Sequence, residues 1–283
     1  MIERTLFSPE HASFRDSFRR FMHVEIAPFH AGWEAQGYVD KAVWGKAGAL
    51  GFLNMSMPSA FGGADADKLF SIVQIEELSA AGFSGIGFGL HSEIVSPYLL
   101  HYGTDAQKKK YLPKLSSGEM VGAIAMTEPS AGSDLQGIKT TASLQADGSY
   151  LLNGSKTYIT NGWHSDLVIV VAKTNPAAGA KGTSLFLLEA GTPGFTKGKP
   201  LHKLGLKAQD TCELFFDNVR LPADSLLGGA DFLNKGFIGL MEQLPWERLQ
   251  IAIGAVAASQ AAIGWTLDFV KQRQVFGQPV AAF

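Results

Sequence analysis

Apolar residues in the first part of the chain recur at a helical spacing of three and four positions. The positions in the first such segment are Phe14, Phe18, Phe21, Met22 and Ile26. This spacing places the side chains on one face of an α-helix, and Ser8 followed by Pro9 is typical of a helix start. Similar runs follow in "DKAVWGKAGALG", "KLFSIVQIEELSAA", "GFGLHSEIVSPYLLHYG" and "TDAQKKKYLPKLSSG". We therefore predict an N-terminal α-helical domain over residues 1–120.

From residue 121 the pattern changes to short apolar runs separated by turn residues. Asn153-Gly154 lies between "SYLL" and "SKTYIT", and Asn-Gly is favoured in two-residue hairpin turns. Further apolar runs are "DLVIVVAKT", "TSLFLLEA" and "TCELFFDNVRL". Short strands joined by turns, with no helical pattern between them, favour an antiparallel barrel or sandwich. We predict a middle β-domain over residues 121–230.

The helical pattern returns over residues 231–283, where "ERLQIAIGAVAASQAAIGWTLDFVKQRQVFG" is predicted to form one long helix. Its many Ala and Gly residues allow neighbouring helices to approach closely. The pattern reaches the last residues, "QPVAAF", without a partner helix. We therefore expect the start of an incomplete C-terminal helical bundle, and an α+β fold for the whole chain.

Composition narrows the classes of partner and site. The 283 residues include 24 basic and 26 acidic side chains, giving a net charge of −2, which argues against a nucleic acid as main partner. A single cysteine, Cys212, excludes an internal disulfide and zinc sites built on several cysteines. The seven histidines lack metal-ligand spacing, so no metal is predicted. We find no signal-length apolar run, and "IAIGAVAASQAAIGW" is too short for a membrane span. We expect a cytoplasmic protein.

The segment "TEPSAGSD" has unusually small side chains for a stretch that leads into a sheet. Gly132 leaves the backbone open to close approach, and Thr127 and Ser133 add hydroxyl groups. In "TYITNG", Tyr158 offers an aromatic face and Thr160 another hydroxyl. A flat ring with polar edges, such as an isoalloxazine, suits this combination. From these residues alone, a plain tight loop that enters a sheet is the favoured interpretation, and the flavin site is the alternative.

Four motifs together resemble the acyl-CoA dehydrogenase family in order and spacing. They are "AMTEPSAGSD", "YITNG", "KLGLKAQDTCELFFDNVRLP" and "RQVFGQP", and the resemblance runs from the first helix to the last residue. It implies an N-terminal helical domain, a middle β-domain and a C-terminal four-helix domain. It also implies FAD as cofactor, an acyl-CoA substrate, an electron-transfer flavoprotein as electron acceptor, and a homo-oligomer, either a tetramer or a dimer.

Site residues follow from the resemblance by motif. The residues implied to contact the flavin on one side are Ala125, Met126, Thr127, Gly132 and Ser133, and on the other side Tyr158, Ile159 and Thr160. Ser133 would also touch the acyl-CoA. Arg273 and Phe276, in "RQVFG", would reach the FAD of a neighbouring subunit. We interpret Glu128 and Asp134 in the same loop as turn-forming and backbone-capping residues.

The implied reaction is α,β-dehydrogenation of a thioester, in which a carboxylate removes the α-proton and the β-hydrogen leaves as hydride to flavin N5. The segment "MEQLPWERLQIA" resembles the long-chain and isovaleryl branches of the family. Glu247 is therefore the predicted base and Arg248 a cation that orders the substrate or the site. Glu242 is the alternative carboxylate, and a plain helix-terminus role for Glu247 is the alternative interpretation.

Other functions remain open at this level. A flavin monooxygenase or an acyl-CoA oxidase on the same scaffold would use the same motifs, because oxygen access decides between these reactions. The family pattern continues through further helices after "RQVFG", so the sequence is expected to be C-terminally truncated. It is then either a fragment of a longer enzyme or a short product, and an inactive fragment is the non-enzymatic hypothesis.

Overall fold

A computed structural model describes residues 4–283, with helices first, strands next and one long helix last. The helices are α1 (Pro9–Glu25), α2 (His30–Gln36), α3 (Ala42–Ala49), α4 (Lys68–Ala81), α5 (Phe88–Leu90), α6 (Ser96–Tyr102), α7 (Asp105–Ser116) and α8 (Gly236–Gln272). A π turn, His91–Val95, joins α5 to α6. The predicted α+β fold class is confirmed, and the elements change type close to the predicted domain boundaries.

The strands follow α7 and form one main sheet and one small hairpin. The main-sheet strands are β1 (Gly122–Ala125), β2 (Thr141–Leu144), β3 (Tyr150–Ile159), β4 (Leu167–Lys173), β5 (Thr183–Glu189), β6 (Phe195–Lys197) and β7 (Cys212–Leu221). The hairpin strands are β8 (Gln274–Val275) and β9 (Gln278–Pro279). The main sheet has the order β1-β4-β2-β3-β7-β6, with β5 paired to β4.

Helix starts in the first region follow local rules. Ser8 is extended, Pro9 opens α1, and the Ser8 N–H donates to Nδ1 of His11 at 3.0 Å. At α7, the Thr104 hydroxyl accepts from the Gln107 N–H at 3.2 Å, and the Gln107 side chain accepts from the Thr104 N–H at 3.0 Å. Each arrangement satisfies backbone donors that lack a partner inside the helix. The predicted start at Ser8 is therefore confirmed.

Two strand pairs run parallel, whereas the sequence pattern favoured an antiparallel sheet. β4 is parallel to both β1 and β2, which pair with successive parts of one edge of β4, at residues 167–170 and at Lys173, while β5 pairs along the other edge. The loop of residues 126–140, called the crossing loop below, therefore leaves this edge of β4 after β1 and returns to the same edge at β2. The remaining pairs of the main sheet are antiparallel. The segment "TEPSAGSD" lies in this crossing loop, between the two strands that pair with one edge of β4.

The predicted hairpin turn at Asn153-Gly154 was wrong. β3 runs through both residues, and the pairing with β7 shifts register between Leu152 and Gly154, which is the signature of a β-bulge. The turn between β2 and β3 lies at Asp147-Gly148, where the Gly148 N–H donates to the Gln145 carbonyl. A Cβ at Gly154 would lie 2.4 Å from the Thr140 hydroxyl oxygen, so the glycine serves a close backbone approach.

The last helix, α8, runs without interruption through Pro245 and packs mainly against α4 of the first region. Its length and apolar composition suffice for a membrane span, and none of its most apolar 18-residue window is buried within the chain. The expectation that this segment is too short was therefore wrong, because the helix has 37 residues. Its exposed large apolar side chains are Ile238, Met241, Leu249, Ile251, Val256, Ile263, Trp265, Leu267 and Phe269.

Candidate functional site

The crossing loop presents an open surface at its small residues. Gly132 and Ser133 are exposed, whereas Met126 and Thr127 are half-buried. A Cβ placed on Gly132 meets no atom within 4 Å. The predicted cofactor corner is therefore not filled by side chains of the protein itself, and a flat ligand has room to lie against this backbone.

The end of β3 and the turn that follows it supply the second predicted cofactor segment. Tyr158 is 70% exposed and has a φ of +57°, a conformation that non-glycine residues adopt rarely and that is concentrated at functional sites. Thr160 is half-buried. Ile159 and Ala125 lie in the β-domain core, so they can offer a ligand only main-chain atoms.

Hydrogen bonds fasten the two predicted cofactor segments to each other. The Thr157 N–H donates to the Thr127 carbonyl at 3.0 Å, and the Thr127 hydroxyl donates to the Thr157 carbonyl. Lys156 Nζ donates to the Met126 carbonyl and to Oε1 of Glu128, both at 2.9 Å. The structure therefore brings together the segments that the sequence motifs predicted, with Lys156 as a link that the motifs did not reveal.

Glu128 and Lys156 form a buried ion pair beneath the crossing loop, with side chains 4% and 0% exposed. Glu128 also accepts the N–H groups of Lys139 and Thr140 at 2.6 and 3.0 Å, which confirms its predicted capping role. Burial raises the pKa of Glu128, but these hydrogen bonds and the Lys156 charge outweigh burial and hold the pKa below its usual range. Burial lowers the pKa of Lys156 to about 8.

Asp134 has the same kind of local role. Its carboxylate accepts the Gln136 N–H at 3.2 Å, at the start of a short 3₁₀ turn. The residue is exposed and caps the backbone as predicted. Among residues 4–283, no group of three or more His, Cys, Asp and Glu side chains is placed to hold a metal ion.

Glu247 is buried inside the fold, although the sequence places it on a helix with a largely exposed apolar surface. It is 8% exposed, and the Tyr98 hydroxyl donates to its Oε1 at 3.0 Å. Burial raises the pKa of Glu247, an effect opposed in part by the Tyr98 hydrogen bond and the charge of Arg248. Arg248 itself is exposed. A carboxylate with a raised pKa is the better proton acceptor.

The alternative carboxylate, Glu242, lies in a different environment. It is exposed and accepts a hydrogen bond from the Tyr102 hydroxyl at 2.7 Å. An exposed carboxylate keeps its solvent shell and is not shielded from water. The helix-terminus interpretation also fails for Glu247, because α8 begins at Gly236 and Glu247 lies well inside it. The geometry favours Glu247 as the base.

The predicted cofactor segments and the helix that carries Glu247 both contact the same stretch of chain, residues 87–98. The Asn161 side-chain amide donates to the carbonyls of Gly87 and Gly122 at 3.1 and 3.2 Å. On α8, the Gln250 amide donates to the Glu93 carbonyl at 3.3 Å. The cofactor segments and the helix that carries Glu247 are thereby held by one common support.

Arg273 and Phe276 lie at the far end of α8, in the β8–β9 hairpin. Phe276 is 97% exposed at the tip of this hairpin, with a φ of +49°. Arg273 lies 26 positions after Glu247, at the end of α8, which is roughly 40 Å at 1.5 Å per residue. The structure therefore does not bring these two residues to the site of their own chain, and their contact with the FAD of a neighbouring copy stays a prediction.

Three family models match the chain in succession. The acyl-CoA dehydrogenase N-terminal domain matches residues 8–119, the middle domain matches residues 123–219, and the C-terminal domain matches residues 234–283. These ranges agree with the helical, strand and final helical regions of the fold.

Two curated relatives support the predicted branch of the family. A mitochondrial long-chain specific acyl-CoA dehydrogenase of Mus musculus is 51% identical over 280 residues, with 98% of this chain and 64% of the relative covered. A mitochondrial isovaleryl-CoA dehydrogenase of Oryza sativa subsp. japonica is 38% identical over 281 residues, with 98% and 68% covered. The chain thus spans just under two thirds of the length of the long-chain relative.

Solved structures with the same fold lead to the same assignment. An acyl-CoA dehydrogenase from Geobacillus kaustophilus superposes with a TM-score of 0.95 at 46% identity, covering 99% of this chain and 73% of that one. An acyl-CoA dehydrogenase complexed with FAD from Bacillus anthracis has a TM-score of 0.90 at 34% identity, covering 100% and 48%. Sequence, fold and site agree, and the chain belongs to the acyl-CoA dehydrogenase family.

Proposed function

We propose that the protein catalyses the FAD-dependent α,β-dehydrogenation of an acyl-CoA thioester. The observation that carries this proposal is Glu247, a buried carboxylate with a raised pKa, held by Tyr98 and packed on the same support as the open cofactor corner. An α-proton next to a thioester is a weak acid, so its removal needs a base of raised pKa in a site shielded from water.

The residues of the corner fit a flavin. FAD would lie between the open backbone around Gly132-Ser133 and the exposed ring of Tyr158, with the hydroxyl of Thr160 and the main chain of residues 125–127 at its polar edge. Bound FAD supplies the acceptor for the β-hydrogen, which leaves as a hydride. The FAD complex of the Bacillus anthracis structure supports this cofactor for the same fold.

The protein's own groups then have distinct tasks. Glu247 accepts the α-proton at a carboxylate oxygen. In this proposal Arg248, next to it and exposed, is a cation that orders the substrate or the site, and Ser133 contacts the acyl-CoA. The proposed electron acceptor is an electron-transfer flavoprotein. A homo-oligomer, implied by the family resemblance, and a cytoplasmic location, expected from the sequence, are further parts of the proposal.

An absorbance titration tests the proposal as a whole. We expect the purified protein, supplied with FAD, to show a flavin spectrum whose visible band bleaches when acyl-CoAs of graded chain length are added without oxygen. A dehydrogenase should then reoxidise slowly in air, whereas fast reoxidation with formation of peroxide would identify an oxidase. A protein that binds no FAD, or whose bound FAD no acyl-CoA bleaches, would contradict the proposal.

A substitution at Gly132 tests the cofactor corner separately. We expect Gly132→Val to weaken FAD binding at least tenfold, because the new side chain occupies the open space over the crossing loop. The free energy of unfolding without FAD should change by only about 0.5 kcal/mol, as for other exposed sites. Fluorescence titration and urea unfolding measure the two quantities.

Gly205→Val is the matched control for this test. Gly205 is also exposed and also meets no atom within 4 Å at an added Cβ, but it lies outside the predicted cofactor segments. We expect it to leave FAD affinity unchanged. Equal FAD affinity in the two variants would place the flavin elsewhere.

A further inference from the structure

Two tyrosines on α6 each donate to a carboxylate on α8. Tyr98 donates to Glu247 at 3.0 Å, and Tyr102 donates to Glu242 at 2.7 Å. The first pair is buried, with Tyr98 fully inside the core that also holds Leu99, whereas Glu242 is exposed. Only the first pair therefore has a hydrogen bond that solvent cannot replace.

The π turn before α6 fixes the register of this contact. Pro97 has no N–H and cannot donate to the Glu93 carbonyl four residues earlier in the helix. That carbonyl accepts instead from the Gln250 amide of α8 at 3.3 Å. On the other side of Glu247, the Trp246 indole N–H donates to the Glu93 carboxylate at 3.2 Å. Trp246 and Gln250, which flank Glu247 along α8, are thus both anchored to the turn that leads into Tyr98.

We propose that Tyr98 is a positioning residue for the base: its hydroxyl holds the Glu247 carboxylate in one orientation and, by donating to it, favours the ionised form. This inference rests on the proposed function, in which Glu247 accepts the α-proton. Burial in an apolar site favours the protonated form of a carboxylate, and that form cannot accept a proton. A buried hydrogen-bond donor favours the ionised form instead, and it does so without adding a charge.

Few other charged or titratable groups act on Glu247 from the packed elements. On α8 itself the charge of Arg248 favours the ionised form. On α6, Tyr98 donates directly and Tyr102 is engaged with Glu242. In the π turn, Glu93 is paired with Lys68 of α4, and buried His91 is hydrogen-bonded to Leu115 and Gly122. On α4, Glu76 and Glu77 are paired with arginines of the N-terminal region.

The test follows the ionisation of Glu247 directly and through activity. The protein is labelled with ¹³C at the glutamate carboxyl carbon, and the Glu247 resonance is assigned by its loss in Glu247→Gln. We expect Tyr98→Phe to raise the midpoint of that resonance by about one to two pH units, since a hydrogen bond to a charged group is lost. The acid limb of kcat/KM, which reports the free enzyme, should move to higher pH by the same amount.

Tyr102→Phe is the matched control, because it removes the same hydroxyl from the same helix but from the exposed pair. It should leave both the resonance midpoint and the acid limb unchanged. An unchanged midpoint in Tyr98→Phe, alongside an inactive Glu247→Gln, would overturn the role of Tyr98 and leave the proposed function intact. Full activity in Glu247→Gln would instead overturn the base assignment, and the role of Tyr98 with it.

Discussion

Glu247→Gln is expected to lower the rate of acyl-CoA dehydrogenation about 10²- to 10⁴-fold, the contribution typical of a general base. Glutamine keeps the size and the hydrogen-bonding ability of the side chain but cannot accept the α-proton. Because Glu247 is not among the predicted FAD contacts and glutamine keeps an oxygen that can accept the Tyr98 hydrogen bond, FAD affinity should stay the same. Stopped-flow bleaching of the flavin band without oxygen measures the rate, and the ratio of visible to protein absorbance measures the bound FAD.

Glu242→Gln is the control for this prediction. The two glutamates lie on the same helix and each accepts a hydrogen bond from a tyrosine of α6, but only Glu247 is buried. We expect Glu242→Gln to retain most of the bleaching rate. A full rate in Glu247→Gln, or an equal loss in both variants, would remove the basis for naming Glu247 as the base.

Local signals predicted the local structure well. Ser8-Pro9 marks the start of α1, and the apolar runs after residue 121 became strands where the sequence placed them. The parallel pairing of β4 with β1 and β2 was not predicted, because strand partners that are distant in sequence leave no local pattern. Asn153-Gly154 shows the related error: the dipeptide that favours a tight turn also suits a bulge, and only the pairing with β7 decides between them.

The site residues were predicted from motifs that resemble a family, not from local patterns of hydrophobic and polar residues. The structure adds the hydrogen-bond partners that the motifs do not contain. The motif "PWERL" predicts Glu247 as the base. Its hydrogen-bond partner Tyr98 lies 149 residues away in the sequence, and no local spacing predicts a contact over that distance. Lys156 was missed for another reason. Tyr150 and Leu152 are buried, and simple alternation along β3 places Lys156 on the same face of the sheet. Because lysines are almost always exposed unless they are paired, the pattern alone does not predict a buried one, and its partner Glu128 lies 28 residues away in the sequence.

The missed lysine matters because it links the two cofactor segments. The Lys156 side chain extends from β3, donates to the Met126 carbonyl and forms an ion pair with Glu128. Glu128 in turn holds the N–H groups of Lys139 and Thr140, at the point where the crossing loop enters β2. The crossing loop buries Ala131 and Ile138 in the core, and this buried polar network adds an anchor at both ends of the loop. A small-residue loop can then stay open to a ligand and still be fixed in place.

Lys156→Met is therefore expected to destabilise the protein by about 3–5 kcal/mol, the cost of leaving one partner of a buried ion pair without its counter-charge. Methionine has a similar length and fills the space, so the loss comes from the uncompensated Glu128 carboxylate and not from a cavity. FAD affinity should fall as well, because the segments on both sides of the flavin lose their link. Urea unfolding with and without FAD, together with a fluorescence titration, measures both effects.

The double variant Lys156→Met/Glu128→Gln separates lost charge pairing from lost packing. Removing both charges leaves no buried ion, and we expect about half or more of the lost stability to return. Lys110→Met is the matched surface control: Lys110 pairs with Glu189 at 2.6 Å, but both side chains are exposed, so the cost should be within about 1 kcal/mol. If Lys156→Met cost no more than Lys110→Met, the pair would not be what fixes the crossing loop, and the open cofactor corner would need another support.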